Sequence, residues 1–416
     1  MAVGALVEPL VVVVLLFGGA WVNRDKDHDL RASSTSPYVA DKTHKRSDEL
    51  LDRGAGNRRD SRESNGSWSG SSTPTLALHE VPTLRRRKIR FFGRERLVTT
   101  PNTLVFQDRF LSRVLQKFPF LAEVWYWALV YWVYQLGRAF TALSLVEGTV
   151  QVARRHALQI IHLEQRLNIF YEVPVQKWFL ARPVLMHWIN RVYSFIHIPG
   201  TIFFLVALYH LTTTRKVAAG PALYEARRRT MAMCNLVAFV VFTLWPCMPP
   251  RLLSDPDYRG DDAAEATSYG FVDTVHGKDG ESSVWTTNKF CNQYAAMPSL
   301  HFGYSLLIGL TVATLPISGL RATSWKRIGV VMLGMSYPAL ILTAIVATAN
   351  HFILDAVAGA LVCGIAWHSN GLLLNLCVVE DYFLWLLRIH KPVNHTDADT
   401  AVETETELQA RLGEGV

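Results

Sequence analysis

Six apolar windows, each about as long as a bilayer is thick, constrain this chain more than any other feature. A spanning helix needs about 20 mainly apolar residues, because each residue rises ~1.5 Å across a hydrocarbon core ~30 Å thick. The windows are 120–142, 192–211, 231–250, 302–320, 328–350 and 352–379, and only Glu123, Arg138 and Asp355 place a charge inside them. A seventh run, Leu6 to Val22, is shorter and contains Glu8. Its positive charges, Arg24 and Lys26, follow the apolar stretch, so it reads as an N-terminal membrane anchor rather than a cleaved signal peptide. Composition agrees, with 50% hydrophobic and 19% charged residues against roughly 25% charged in soluble chains. Residues 23–96 hold 17 Lys and Arg against 11 Asp and Glu, a surplus that accounts for nearly all of the net +7. Charge confined to a tail disfavours a single soluble domain and a nucleic-acid binder that spreads basic residues over a folded face.

The expected fold is an all-α, polytopic membrane bundle of about six transmembrane helices. Its expected parts are the anchor at 1–22, a basic and largely disordered cytosolic tail at 23–118, the membrane domain at 119–380 and an acidic C-terminal tail at 381–416. The Trp and Tyr residues of the first window read as an aromatic belt. Orientation follows from basic residues in short loops. Arg85–Arg90, Arg215 to Arg229 and Arg321 to Arg327 fall on one side if six helices alternate. The 251–300 loop, with eight acids against Arg251, Arg259, Lys278 and Lys289, falls on the other. Residues 149–191 are also basic yet share that second side, and the helical spacing of apolar residues in Ala157–Phe170 suggests an amphipathic helix lying in the interface. The five cysteines show no metal-ligand spacing. Cys247 and Cys291 bracket the acidic loop, where a lumenal setting would permit a disulfide.

The alternating topology brings three separated features to one membrane face. They are Pro246–Arg251 at the end of the third window, Ala295–Gly303 at the start of the fourth, and Asn350–Asp355 between the fifth and sixth. Pro298 and Ser299 suit a helix start, where backbone N–H groups attract an anion, and His301 follows in the first turn. His351 and Asp355 are i, i+4, which places both on one helical face. A carboxylate that accepts from one imidazole nitrogen leaves the other as a nucleophile. Arg251 offers a forked cation for phosphate. An acid inside a spanning segment is functional by default, because burying it is costly. Together these residues suit phosphoryl transfer through a phosphohistidine, with no cofactor. His351 attacks phosphorus, Asp355 orients it, and His301 protonates the departing alcohol and then deprotonates the acceptor. Arg251, with Lys289 and the Ser299 backbone, holds the developing charge.

With those residues assembled, the sequence resembles the type 2 phosphatidic acid phosphatase superfamily, and within it the inositolphosphotransferase branch that includes inositol phosphorylceramide synthases. Pro298-Ser299-Leu300-His301 matches the family's Pro-Ser-x-His, and His351 with Asp355 matches its His-x-x-x-Asp. Pro249-Pro250-Arg251 is similar to the branch's variant of the first motif, and Leu163-Glu164-Gln165-Arg166-Leu167 also looks like that branch. The likeness covers about residues 120–375. One departure is that Ala344 and Ile345 stand where the broader superfamily carries Ser-Arg. Sphingolipid-synthesising relatives also dispense with that arginine, and Lys289 is the candidate replacement.

The resemblance implies a lipid phosphotransferase that moves a headgroup such as inositol phosphate from an inositol-containing phospholipid to ceramide. The loop charges put the motif face away from the cytosol, and a lumenal active site fits a Golgi or other endomembrane. The alternative within the family is a lipid phosphate phosphatase with water as acceptor, since the same His301 serves both. Two other classes are a metal hydrolase built on His301, His351 and Asp355, and a non-catalytic transporter or scaffold.

Overall fold

The computed structural model describes residues 2–28, 30, 83–91, 93–143, 148–214, 217, 219–255, 260, 262–274, 294–317, 319–321, 323–392 and 401–402. It is mostly helical, with one small sheet. In chain order the elements are α1 (Ala2–Val22), β1 (Leu84–Phe91), β2 (Arg94–Pro101), α2 (Phe110–Lys117), α3 (Phe120–Leu143), α4 (Thr149–Arg166) and α5 (Glu172–Leu180). There follow α6 (Pro183–Arg191), α7 (His197–Thr213), α8 (Pro221–Leu244), α9 (Ala263–Ser268), α10 (Leu300–Thr314), α11 (Trp325–Ala347), α12 (Ile353–Ser369), α13 (Cys377–Leu387) and β3 (Ala401–Val402).

Every apolar window becomes helix, but the boundaries move for local reasons. The third window stops at Leu244, because Pro246 disfavours helical backbone at the residue before it. The fourth begins at Leu300 and ends at Thr314, two residues before Pro316. The second extends backwards, through a π-helical turn at Val192–Ile196 into α6, to give one helical run from Pro183 to Thr213. Among the described residues, three helical runs are long and apolar enough to cross a membrane: Pro183–Thr213, Trp325–Ala347 and Ile353–Leu387. That is three against the six windows. Helix α8 begins with Glu225, Arg227, Arg228 and Arg229 in its first turns, α10 has only 15 residues, and α3 is rich in Trp and Tyr.

Helix α10 forms the axis, packed between α11 and α12, with α8 beside α12 and α7 beside α8. Close approach of backbones sets this arrangement. A Cβ on Gly359 of α12 would strike the Ser299 carbonyl oxygen, and one on Gly334 of α11 would come within 2.6 Å of the Gly309 carbonyl. Leu205, Met231, Cys234, Leu307, Ile308, Val362 and Ala366 fill the space between α7, α8, α10 and α12. The outward faces stay apolar: Ile328, Met332, Leu333 and Leu340 on α11, and Val357, Leu361 and Ile365 on α12, are exposed. Water does not tolerate an apolar surface of that extent on a monomer, whereas a lipid surround does.

Two expectations are corrected. Residues 84–117, inside the segment expected to be largely disordered, fold into the β1–β2 hairpin and α2, so the fold is helical with a sheet in the order β2–β1–β3 rather than all-α. The hairpin pairs Phe91 with Arg94 and turns through Gly93 at φ +77°, a conformation glycine adopts without penalty. Its basic strand, expected only to mark topology, makes specific contacts: Arg85 and Arg87 both bond the buried Asp381 carboxylate of α13, and Thr100 donates to it at 2.7 Å. Helix α13 also runs through the boundary set at 380. The second correction concerns α4, which is amphipathic but does not offer its apolar face to lipid. Ala153, Ala157, Leu158, Ile160 and Ile161 pack on Cys247, Met248, Leu253, Ala349 and Phe352, so α4 roofs the loops that carry the motifs. Residues 31–80 and Lys289 lie outside the described residues, as does Cys291; Cys247 is a buried free thiol.

Candidate active site

Three segments far apart in sequence meet at one end of the bundle because backbone hydrogen bonds stitch them together. Cys247 pairs with 294–296: its N–H donates to Tyr294 O at 2.8 Å, and its carbonyl accepts from Ala296 N at 3.1 Å. Arg251 N–H donates to Ala349 O at 2.9 Å, and Ser299 N–H donates to Asp355 O at 2.9 Å. Each bond joins one motif segment to another or to the residue just before it, so Arg251, Ser299, His301, His351 and Asp355 converge as the sequence anticipates. All but His301 are buried. Its ring centroid lies 5.6 Å from that of His351.

The details differ from expectation in three places. First, His351 and Asp355 do not share a helical face, because α12 begins at Ile353 and His351 lies in the turn before it. The Asp355 carboxylate is committed to the helix start, where Oδ2 accepts from Phe352 N at 2.8 Å. It stands 3.6 Å from His351 Nδ1, close enough for charge attraction and too far for a hydrogen bond. The partner of Nδ1 is the Ala296 carbonyl at 2.7 Å. Second, the Ser299 N–H is not available to a phosphate, since it is spent on Asp355 O; Ser299 instead caps α10, its Oγ accepting from Phe302 N at 3.4 Å. Third, Arg251 is held from two sides, by Nε to Asn350 Oδ1 and by Nη1 to Asp273 Oδ2, both at 2.8 Å. Neither contact uses Nη2. Asn350 is itself fixed by Thr348, its Nδ2 donating to Oγ1 at 2.8 Å.

Ala344 and Ile345, which stand where the resemblance expects Ser-Arg, are fully buried among Ile189, Val192 and Ile341. No cation enters the site from that position.

Several residues of the site escape side-chain reasoning. His197 and Tyr193 flank His301 at ring separations of 4.9 and 4.6 Å, and the π-helical turn that presents Tyr193 has no simple sequence signal. Ala296 contributes only its backbone. Asp273 is held in place through the amide of Gln176, which bonds both the N–H and the carbonyl of neighbouring Val272. Among the described residues no group of three or more His, Cys, Asp or Glu has the geometry of a metal site.

The arrangement is therefore an imidazole with one nitrogen locked to a carbonyl, a second imidazole facing it and a guanidinium tied to the residue before it. That is a set of groups for moving a phosphoryl group. No curated protein and no solved structure matches the chain. A sequence model of the PAP2 superfamily matches residues 158–368, just over half of the chain and a stretch that contains every residue of this site. Residues, geometry and match agree, and the chain belongs to the PAP2 superfamily.

Proposed function

We propose that this protein is an integral membrane lipid phosphotransferase that moves a phosphorylated headgroup, such as inositol phosphate, between lipids through a phosphohistidine. Membership of the PAP2 superfamily suggests lipid phosphatase or phosphotransferase chemistry in general; the resemblance of Pro249–Arg251 and Leu163–Leu167 to the inositolphosphotransferase branch supports the transferase. In this reading residues 119–380 form the catalytic domain, crossing the bilayer with six helices and opening its site to the lumen of the Golgi or a related membrane.

One observation carries the mechanism. A carbonyl oxygen only accepts, so the 2.7 Å contact to Ala296 puts the hydrogen on His351 Nδ1. In the neutral ring Nε2 then holds the lone pair. Nε2 attacks the phosphorus of the donor lipid, the bond to its glycerol oxygen breaks, and His301 gives that oxygen a proton. The headgroup phosphate is now on His351. An acceptor hydroxyl enters, His301 removes its proton, and its oxygen displaces Nε2 from phosphorus. As His351 becomes cationic the Asp355 carboxylate at 3.6 Å favours that charge, while Arg251 balances the phosphate oxygens.

The test is to incubate the purified protein with phosphatidylinositol labelled in the inositol ring, plus ceramide, in mixed micelles. Label recovered on ceramide is the expected result. Label released only as free inositol phosphate assigns the acceptor to water and overturns the transferase reading, and no release with any lipid phosphate overturns the whole assignment.

A further inference from the structure

The first turn of α12, which sets the position of His351 and Asp355, has an unusual set of partners. The opening N–H groups of a helix lack acceptors within it. Here three in succession are met by three carboxylates from three elements: Phe352 N by Asp355 Oδ2, Ile353 N by Glu172 Oε1 and Leu354 N by Glu164 Oε1, each at 2.8 Å. Glu164 closes α4 and Glu172 opens α5, and neither has any exposed surface. Each keeps its second oxygen, Oε2, buried without a donor.

Three full negative charges do not sit together at such a place. A helix N-terminus supplies roughly half a positive charge. Among the described residues neither glutamate makes an ion pair with a Lys or Arg. The ionisable groups that act most strongly on the pair are each other and Asp355 on α12, Glu164 also faces the Cys247 thiol on the segment after α8, and all are acids. One proton resolves both problems. Placed on Glu164 Oε2 and donated to Glu172, it removes one charge and gives both orphaned oxygens a partner.

We infer that Glu164 and Glu172 are positioning residues that share one proton, and that this acid–carboxylate pair fixes the first turn of the helix behind His351. The inference rests on the phosphohistidine reading for its consequence in catalysis, though not for the pair itself. Burial, and then the neighbouring Glu172, push the Glu164 carboxyl up to about 9; burial also raises Glu172. The sign follows. The folded protein keeps a proton that the unfolded chain gives up near pH 4.5, so stability declines as pH rises from there towards about 9. Above that the pair carries two charges, and the first turn of α12 is pushed apart.

Glutamine separates this device from simple packing, because its amide copies the protonated acid: the oxygen still accepts from the helix and the NH2 replaces the shared proton. Glu164→Gln is expected to keep turnover within about threefold of wild type at pH 7 and to retain it above pH 9, where wild type loses it. Glu172→Gln behaves alike at pH 7, since Glu164 then serves as the carboxylate. The double variant sets two NH2 groups face to face, and its turnover is expected to fall by at least about tenfold. Thermal unfolding in detergent between pH 5 and 10, which needs no substrate, reads the same pattern. The wild-type melting temperature falls over that range, that of Glu164→Gln stays flat, and the double variant is lower throughout. A pH profile identical in wild type and Glu164→Gln, or a double variant that matches wild type, overturns the inference. A wild type without turnover on any lipid phosphate would instead sink the catalytic reading, with the unfolding profiles still deciding the pair.

Discussion

The hydrogen on His351 Nδ1 points at a backbone carbonyl, and that leaves Asp355 a different task from the one its spacing suggests. Its carboxylate caps the helix through Phe352 N and stands 3.6 Å from His351 Nδ1, where the proposed mechanism gives it a role through space. Asp355→Asn tests the division. The amide oxygen of asparagine still accepts from Phe352 N, so the helix start survives and the melting temperature is expected to stay within a few degrees of wild type. The charge is lost, so turnover is expected to fall on the order of 10²-fold, with His351→Ala falling by ~10³-fold or more at normal abundance. Equal turnover in Asp355→Asn and wild type would remove the electrostatic role, and an active His351→Ala would remove the nucleophile. At this scale the sequence is a good guide wherever a side chain is proposed to do the chemistry: Arg251, His301, His351 and Asp355 all come together at the candidate site. It is silent where the backbone does it, as at Ala296. It also misleads where a group is spent locally, as the Ser299 N–H is on Asp355.

Hydrophobic period and proline placement make most of the helices legible, because lipid-facing and core-facing residues in a membrane bundle are both apolar. The hairpin is hidden for the converse reason. Leu84–Phe91 reads as a run of charge, and the contacts that dock it on the bundle come from nearly three hundred residues away. Arg85, Arg87 and Thr100 converge on Asp381, while Asn375 exchanges two 2.8 Å bonds with the backbone of Arg90. Arg87 and Asp381 have almost no exposed surface. Removing one side of a buried ion pair leaves the other uncompensated, at a cost of roughly 3–5 kcal/mol. Asp381→Ala is therefore expected to release the hairpin from α13 and expose β1 to limited proteolysis after Arg85 or Arg87. The catalytic end, built from α4, α10 and α12, should retain its turnover in the folded fraction. Unchanged protease resistance in that variant would show that the hairpin is held by something other than this carboxylate. Helix α4 carries the matching lesson. Its amphipathic spacing is visible in sequence, but spacing does not say whether the apolar face meets lipid or, as here, the loops of the site.

Taken whole, the molecule has two chemically distinct ends. At one lie Arg251, His301 and His351 under the roof of α4. At the other lie the β1–β2 hairpin, the start of α8 with Arg228 paired to Glu123, and the turns between α7 and α8 and between α10 and α11, which touch through a bridge from Val217 to Ile317. Basic residues that the sequence assigns to one side of the bilayer gather at this second end, Arg85, Arg87, Arg228, Arg321 and Arg327 among them. Charge in loops thus carries a whole-molecule property that no single window reveals. The number of crossings is less legible, since among the described residues three helical runs are both long and apolar enough on their own. The shorter α10 has to cross if the two ends face opposite compartments. Two single cysteines in a Cys291→Ser background decide it, because the other four cysteines include Cys234, Cys247, Cys363 and Cys377, all buried free thiols. Thr267→Cys and Thr323→Cys are exposed positions on either side of α10. In sealed vesicles of known orientation, a membrane-impermeant maleimide is expected to label Thr323→Cys from the cytosolic face, and Thr267→Cys only after permeabilisation. Labelling of both from one face would mean that α10 does not cross, and the six-helix topology with a lumenal site would fall with it.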